Sequence, residues 1–338
     1  MTPKKIALLT DSSADLRWDQ ARENNIFFVP LRILCEDGEY LDGVNITGPD
    51  IYQRLHNGEL PQTSLPRVED FSAKLREIFD LGYDGVIAVM LSSGLSGTYN
   101  LARILAGECA EQGYAMKVFD SVSGALGQGM TVLQLAEDIK NGMDWEELTE
   151  RRAPQLIANT YPFFSVDTLE YLVKGGRIGK VTAMAGTMLQ IKPIITFAPD
   201  GQLQSVAKVR GRHQVMRKLV DMAVDRCGEH KRYNLAVANG GAPAEMEILQ
   251  GKLTTALPNY DHIWSGGSWR RTGGDEDRAA DADRGTAQQR PPVGRRDRRH
   301  PQRLHRRRRA GRCRSGAGLT KSRMPETDTP PRRGVFLS

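Results

Sequence analysis

The chain has 338 residues, 39% of them hydrophobic and 26% charged, enough for two average domains around a sizeable core. Its four cysteines, Cys35, Cys109, Cys227 and Cys313, lie far apart with no C-x-x-C pair, which argues against a zinc site or a disulfide framework and fits a reducing cytoplasm. The net charge of +6 is uneven: residues 270–338 carry 20 basic and 8 acidic groups, so residues 1–269 have a net charge of −6, and a basic nucleic-acid-binding body is excluded.

No apolar run approaches the roughly 20 residues needed to cross a bilayer. The four apolar residues after Lys4-Lys5 are too few for a signal-peptide core, so residues 6–10 read as a first strand. Asp11-Ser-Ser-Ala-Asp15 follows as a turn with helix-capping residues. Residues 25–34 read as a strand interrupted by Pro30, with a hairpin at Asp37-Gly38. A helix over 47–57 has Pro49 in its first turn, and 60–66 is a loop held by two prolines. The spacing of Phe71, Leu75 and Ile78 predicts a helix over 68–81. Residues 85–91 are a continuous apolar strand of the kind found inside parallel sheets. The loop 92–97 leads into a helix over 98–112, followed by a strand at 116–120 and helices over 129–141 and 145–158. This alternation predicts a doubly wound parallel-sheet α/β domain over residues 1–158.

Residues 159–264 read as an α+β second domain. It contains a strand at 163–166, a helix over 167–174 ended by Gly175-Gly176, and a helix over 181–189. Pro199-Asp200-Gly201 marks a hairpin between 192–198 and 202–209. A helix over 211–227, a strand at 233–238, a helix over 242–257 and a final strand from 260 complete it. After residue 263 the composition changes. Residues 270–338 contain seven of Val, Ile, Leu, Met, Phe, Tyr and Trp, too few to offset ordering entropy, so residues 265–338 are expected to form a disordered Arg-rich tail. One reading is an arm binding nucleic acid or an anionic surface. The other, which the preponderance of 19 Arg over one Lys favours, is the wrong reading frame of a GC-rich gene.

The chemistry-bearing residues are hydroxyls at strand ends: Thr10-Asp-Ser-Ser13, Thr63-Ser64, and Ser92-Ser93-Gly-Leu-Ser96-Gly-Thr98. In a doubly wound sheet these loops converge on one edge, where helix N-termini favour an anion and hydroxyls add neutral donors. Such an edge suits one carboxylate or phosphate. The alternative is that these hydroxyls cap helices and close turns, the favoured reading for Ser12 and Ser13. Lys174-Gly-Gly-Arg-Ile-Gly-Lys-Val181 lacks the spacing and the Ser or Thr of a P-loop. No G-x-G-x-x-G or G-x-S-x-G occurs, and His56, His213, His230 and His262 show no metal-ligand spacing.

Six segments occur in a familiar order: Thr10-Asp-Ser-Ser-Ala-Asp, Pro61-Gln-Thr-Ser-Leu-Pro, Ser92-Ser-Gly-Leu-Ser-Gly-Thr-Tyr, Asp167-Thr-Leu-Glu-Tyr-Leu, Gly175-Gly-Arg-Ile-Gly and Ile191-Lys-Pro-Ile. Together they resemble the DegV family of bacterial fatty-acid-binding proteins over about residues 4 to 262. The resemblance implies a long-chain fatty acid enclosed between two domains, no other cofactor, and a fatty-acid kinase partner that converts the acid to acyl-phosphate. Carried over by motif, Thr63 or Ser64 and a serine of the 92–96 segment, Ser93 or Ser96, hold the carboxylate. Arg177 and Arg210 are loop cations that either meet the kinase or its phosphates or stand as solvated charges. Family members close with Gly-Thr-His and Gly-Pro-Gly elements, whose histidine lies near the carboxylate. Here Asp261-His-Ile-Trp264 runs instead into Ser-Gly-Gly-Ser-Trp-Arg-Arg, and no matching histidine follows. The second sheet is therefore expected to be incomplete, and the lipid site short of one wall. A carrier without catalytic activity is the leading reading, and a defective member that retains no ligand is the alternative.

Overall fold

The computed structural model describes residues 3, 5–184, 191–227, 232–267 and 333–337. Strand β1 (Ile6–Asp11) is almost unbroken in its apolar character and takes an inner place in a parallel sheet, where both faces of a strand are covered. A 3₁₀ turn and α1 (Trp18–Glu23), a helix absent from the sequence reading, lead to β2 (Ile26–Val29). Pro30 has no N–H for a ladder, and the chain leaves the sheet there. The strand expected over 25–34 is accordingly two strands in two sheets.

β3 (Arg32–Cys35) and β4 (Gly38–Leu41) form the expected hairpin. After α2 (Gly48–His56), closed by a Thr47–Asp50 capping box, β5 (Gln62–Ser64) pairs with the other side of β3. The two-proline loop thus contains a short strand. α3 (Val68–Asp80) buries Phe71, Leu75 and Ile78, β6 (Gly85–Met90) is buried throughout, and α4 (Thr98–Glu111) precedes β7 (Ala115–Asp120). The first sheet has the order β2-β1-β6-β7 and is parallel, as the alternation of elements predicted.

α5 (Ala125–Lys140) begins four residues before its expected start and is buried around most of its circumference, not along one stripe. It packs Leu126, Met130 and Leu133 into one cluster with Leu8, Ile87 and Val89 of the first sheet and with Ala236, Ala238 and Trp264 of the second. A π-helical turn (Glu147–Arg152) runs into α6 (Ala153–Ala158). The buried Arg152 guanidinium donates to Asp138 (2.6 Å), Gln134 donates to Asp138 (3.1 Å), and Asn234 donates to Gln134 (2.8 Å). These bonds satisfy polar groups that burial would otherwise leave costly, and they tie α5 to the second sheet.

The second half contains β8 (Thr160–Phe163), α7 (Glu170–Lys174), a 3₁₀ segment (Gly179–Met184), and the predicted hairpin of β9 (Ile191–Phe197) and β10 (Leu203–Arg210). Residues 185–190, the end of the helix expected over 181–189, lie outside the described residues. α8 (Arg212–Cys227), β11 (Tyr233–Asn239), α9 (Pro243–Ala256) and β12 (Ile263–Gly267) follow.

The last described strand corrects one expectation. β13 (Arg333–Leu337) lies between β11 and β8, giving a parallel sheet of order β12-β11-β13-β8. Disorder was expected over all of 265–338, yet β12 continues to Gly267 and the chain's end supplies an inner strand. β13 takes an inner place, and β12 and β8 are the edges of this sheet among the described residues. The physical reason is local: Val335-Phe336-Leu337 concentrates three of the seven such apolar residues in 270–338, and a parallel inner strand favours such a run. Residues 268–332, with most of the Arg-rich segment, lie outside the described residues. Among the described residues no helix is long and apolar enough to cross a membrane.

Candidate functional site

The C-terminal ends of β1 and β6 and the N-terminus of α4 meet at one edge of the first sheet. Hydroxyls after β1 are consumed in closing that edge. Thr10 Oγ1 donates to the Val89 carbonyl (2.8 Å) and accepts from Gln128 Nε2 (2.9 Å). Ser13 Oγ meets the Asp11 carboxylate and Gln128 Oε1, and Ser12 Oγ accepts the Leu31 N–H (3.0 Å). Asp11 accepts the N–H groups of Leu91 (2.7 Å) and Ser13 (3.1 Å). Burial nevertheless pushes the Asp11 carboxyl above its usual range, because desolvation outweighs those donors. These are turn-closing bonds, the role expected for Ser12 and Ser13.

The 92–97 loop is organised differently. Ser92 is buried; its N–H donates to the Ser123 carbonyl (2.9 Å) and its Oγ to the Gly201 carbonyl (2.7 Å). The Ser92 carbonyl accepts the N–H groups of Leu95 (2.9 Å) and Ser96 (3.1 Å), which turns Ser93 outward. Ser93 is exposed, its N–H is held by Asp120 (3.2 Å), and its hydroxyl has no hydrogen-bond partner among the described residues. Ser96 Oγ pairs with Thr98 Oγ1 (2.9 Å) and accepts the Thr98 N–H (3.3 Å) at the start of α4.

Thr63 is exposed at the centre of β5, in register with Ile33, and its hydroxyl also has no partner among the described residues. Ser64 Oγ accepts from Arg32 (2.8 Å), whose guanidinium also binds the Leu65 carbonyl and Glu39. Hydrogen bonding therefore divides the four candidates: Ser64 and Ser96 are engaged within the protein, whereas Thr63 and Ser93 keep uncommitted hydroxyls.

The two candidate cations occupy different places. Arg177 Nε donates to the Leu95 carbonyl (3.3 Å), which puts it on the 92–97 loop. Arg210 is exposed and ends β10, the length of that strand from the hairpin tip, about 23 Å in an extended chain. Leu95 itself joins Phe164, Leu172, Ile178, Ile195 and Phe197 in an apolar cluster, so the hydroxyl loop is contiguous with that cluster. His262 stacks on Trp264 and lies 3.4 Å from Glu137.

Two further groups were not singled out in the sequence. Asp120 carried no signal beyond its place at a strand end, and Gly201 was legible only as a turn residue. A polar cleft of about 460 Å³ beside Tyr40, Asp50 and Arg54 contains neither Thr63 nor Ser93. The nearby Cys35, Asp37 and Glu59 bring three potential ligand atoms within 4.8 Å of one another. Arg54 already supplies the positive charge there, binding Asp37 (2.8 Å) and Glu59 (2.9 Å).

The family model described as "Uncharacterised protein, DegV family" matches residues 5–267. A DegV domain-containing protein of Clostridium acetobutylicum is 36% identical over 263 residues, covering 78% of this chain and 92% of the relative. A solved fatty-acid-binding DegV family protein from Thermus thermophilus is 28% identical with a TM-score of 0.69, covering 78% of this chain and 93% of its own. A stearic-acid-binding protein from Eubacterium ventriosum is 27% identical with a TM-score of 0.69, covering 76% and 89%. On the extent of these matches, the chain belongs to the DegV family.

Proposed function

We propose that this protein holds a long-chain fatty acid, without catalysing a reaction itself, and presents it in the cytoplasm to a fatty-acid kinase for conversion to acyl-phosphate. Thr63 and Ser93 donate their hydroxyls to the carboxylate. The observation that carries this reading is the continuity of the exposed, uncommitted Ser93 hydroxyl with the apolar cluster that Leu95 joins two residues later. A polar head and an apolar chain thereby find partners side by side, and the solved neighbours from Thermus thermophilus and Eubacterium ventriosum bind ligands of that class.

A fatty acid is ionised near neutral pH, and hydrogen bonds to a charged acceptor are the strong ones. Because Asp120 holds the Ser93 N–H, the donor left at that residue is its hydroxyl. Burying the acyl chain contributes roughly 0.8 kcal/mol per CH₂, so the chain supplies affinity and the hydroxyls supply orientation. Arg177, whose guanidinium has donors beyond the Leu95 contact, meets the kinase or its phosphates beside the head group, and Arg210 is a second contact at the far end of the hairpin. The test combines lipid-loaded protein with a bacterial fatty-acid kinase and ATP and traps acyl-phosphate as the hydroxamate. Wild-type protein is expected to yield it, and Arg210→Ala, at the far end of the hairpin from the loop, to slow its formation while keeping its lipid. No acyl-phosphate from loaded wild type overturns the kinase role.

A further inference from the structure

Two glycines 107 positions apart in sequence meet backbone to backbone. A Cβ added at Gly94 would fall on the Gly201 carbonyl group and lie 2.6 Å from the Gln202 nitrogen. One added at Gly201 would fall on Ser92 Oγ and lie 2.9 Å from the Gly94 nitrogen. The obstructing atoms are mostly backbone, which cannot swing aside as a long side chain can. Gly201 also has a φ of +78°, a conformation that a side chain disfavours. The Ser92 hydroxyl closes the same contact through its 2.7 Å bond to the Gly201 carbonyl.

The tip that makes this contact is itself held rigidly. Ala198 N–H donates to Gln202 O (2.8 Å), Gly201 N–H to Ala198 O (2.8 Å), and Asp200 pairs with Lys180 (2.6 Å). Arg177 holds the other side of the loop through the Leu95 carbonyl. Ser93, between Ser92 and Gly94, is thus an exposed residue whose neighbours on both sides meet the second half of the chain.

We infer that the tip of the β9–β10 hairpin positions the carboxylate-binding loop, with Ser92, Gly94 and Gly201 as positioning residues that set where the Ser93 hydroxyl points. This inference rests on the lipid-carrier reading above. A methyl group at Gly94 forces the tip away from the loop and releases Ser92. The carboxylate contact then degrades while the surface for the acyl chain persists.

The experiment measures binding of stearic acid and of stearyl alcohol to the full-length protein, its Gly94→Ala and Ser92→Ala variants, and Gly107→Ala. Gly107, in α4, has open space where a Cβ would go and serves as the control. Wild type and Gly107→Ala are expected to prefer the acid. In Gly94→Ala that preference falls about tenfold, the order of one charge-assisted hydrogen bond, with affinity for the alcohol unchanged. A parallel loss for both ligands, or no loss, overturns the inference. Should Gly94→Ala fail to fold, Ser92→Ala decides: a reduced preference at an unchanged melting temperature supports the inference, and wild-type preference overturns it. A wild type that binds neither ligand, or both equally, overturns the carrier reading and this inference together; a wild-type preference that survives in the variants overturns the hairpin inference alone.

Discussion

The Asp15 carboxyl is reached by solvent yet deeply surrounded by protein, and that enclosure pushes it up to about 7, with the nearby Asp42 charge adding to the shift. Asp42 is itself raised by burial, and Tyr52 is raised by burial and by Asp15. In an unfolded chain Asp15 loses its proton near 4, whereas the folded protein keeps it to about 7. The contribution to stability is complete below the unfolded value and is lost as pH rises through the folded one. Asp15→Asn removes that loss, and Asn tolerates the left-handed backbone at this position (φ 52°). The variant is expected to melt above wild type at pH 8, with the difference closing by about pH 4. A difference that does not change with pH contradicts this assignment. At the same scale, the hydroxyl-rich loops were legible in the sequence, but which hydroxyls remain uncommitted was not. That depends on partners such as Arg32 for Ser64, 32 residues away in the chain.

Helix α5 shows how an element can be recognised and still misjudged. The sequence predicted a helix over 129–141, four residues short of its true start at Ala125. A Cβ at Gly129 would fall on the Ala14 carbonyl and lie 2.8 Å from Leu16, so this glycine serves close packing inside the helix. β13 was missed for the opposite reason: counting apolar residues over the whole tail diluted the three that stand together. β8 and β11 are joined through β13 and do not pair with each other. Deleting residues 333–338 therefore leaves two parallel ladders unmade. The deletion is expected to lower stability by about 3 kcal/mol or more, given roughly 1 kcal/mol per backbone hydrogen bond. It is also expected to accelerate hydrogen exchange in Tyr233–Asn239 while sparing β1 and β6. Denaturant titration and exchange showing no difference from the full chain contradict this place for the strand.

For the molecule as a whole, the alternation of strands and helices was enough to specify the parallel first sheet, because short connections and buried apolar strands leave few topologies. The relation between the two halves was less legible. A boundary after residue 158 falls between α6 and β8, yet Leu8 of the first sheet and Ala236 of the second belong to one core through α5. Periodicity within one helix does not reveal what lies on each of its sides. The hairpin was predicted as a local turn, while its contact with the 92–97 loop bridges 109 residues between Ser92 and Gly201. The placing of the 92–97 loop therefore depends on residues from both halves of the sequence.

The most direct measurement is mass spectrometry of the organic extract from purified full-length protein, alongside the Thr63→Val, Ser93→Ala double variant. Wild type is predicted to release about one long-chain fatty acid per chain, and the double variant, with unchanged circular dichroism, to retain roughly tenfold less after washing, as the loss of head-group hydrogen bonds implies. An empty wild type, or an equal load in the variant, would contradict the assignment of Thr63 and Ser93 to a fatty-acid carboxylate.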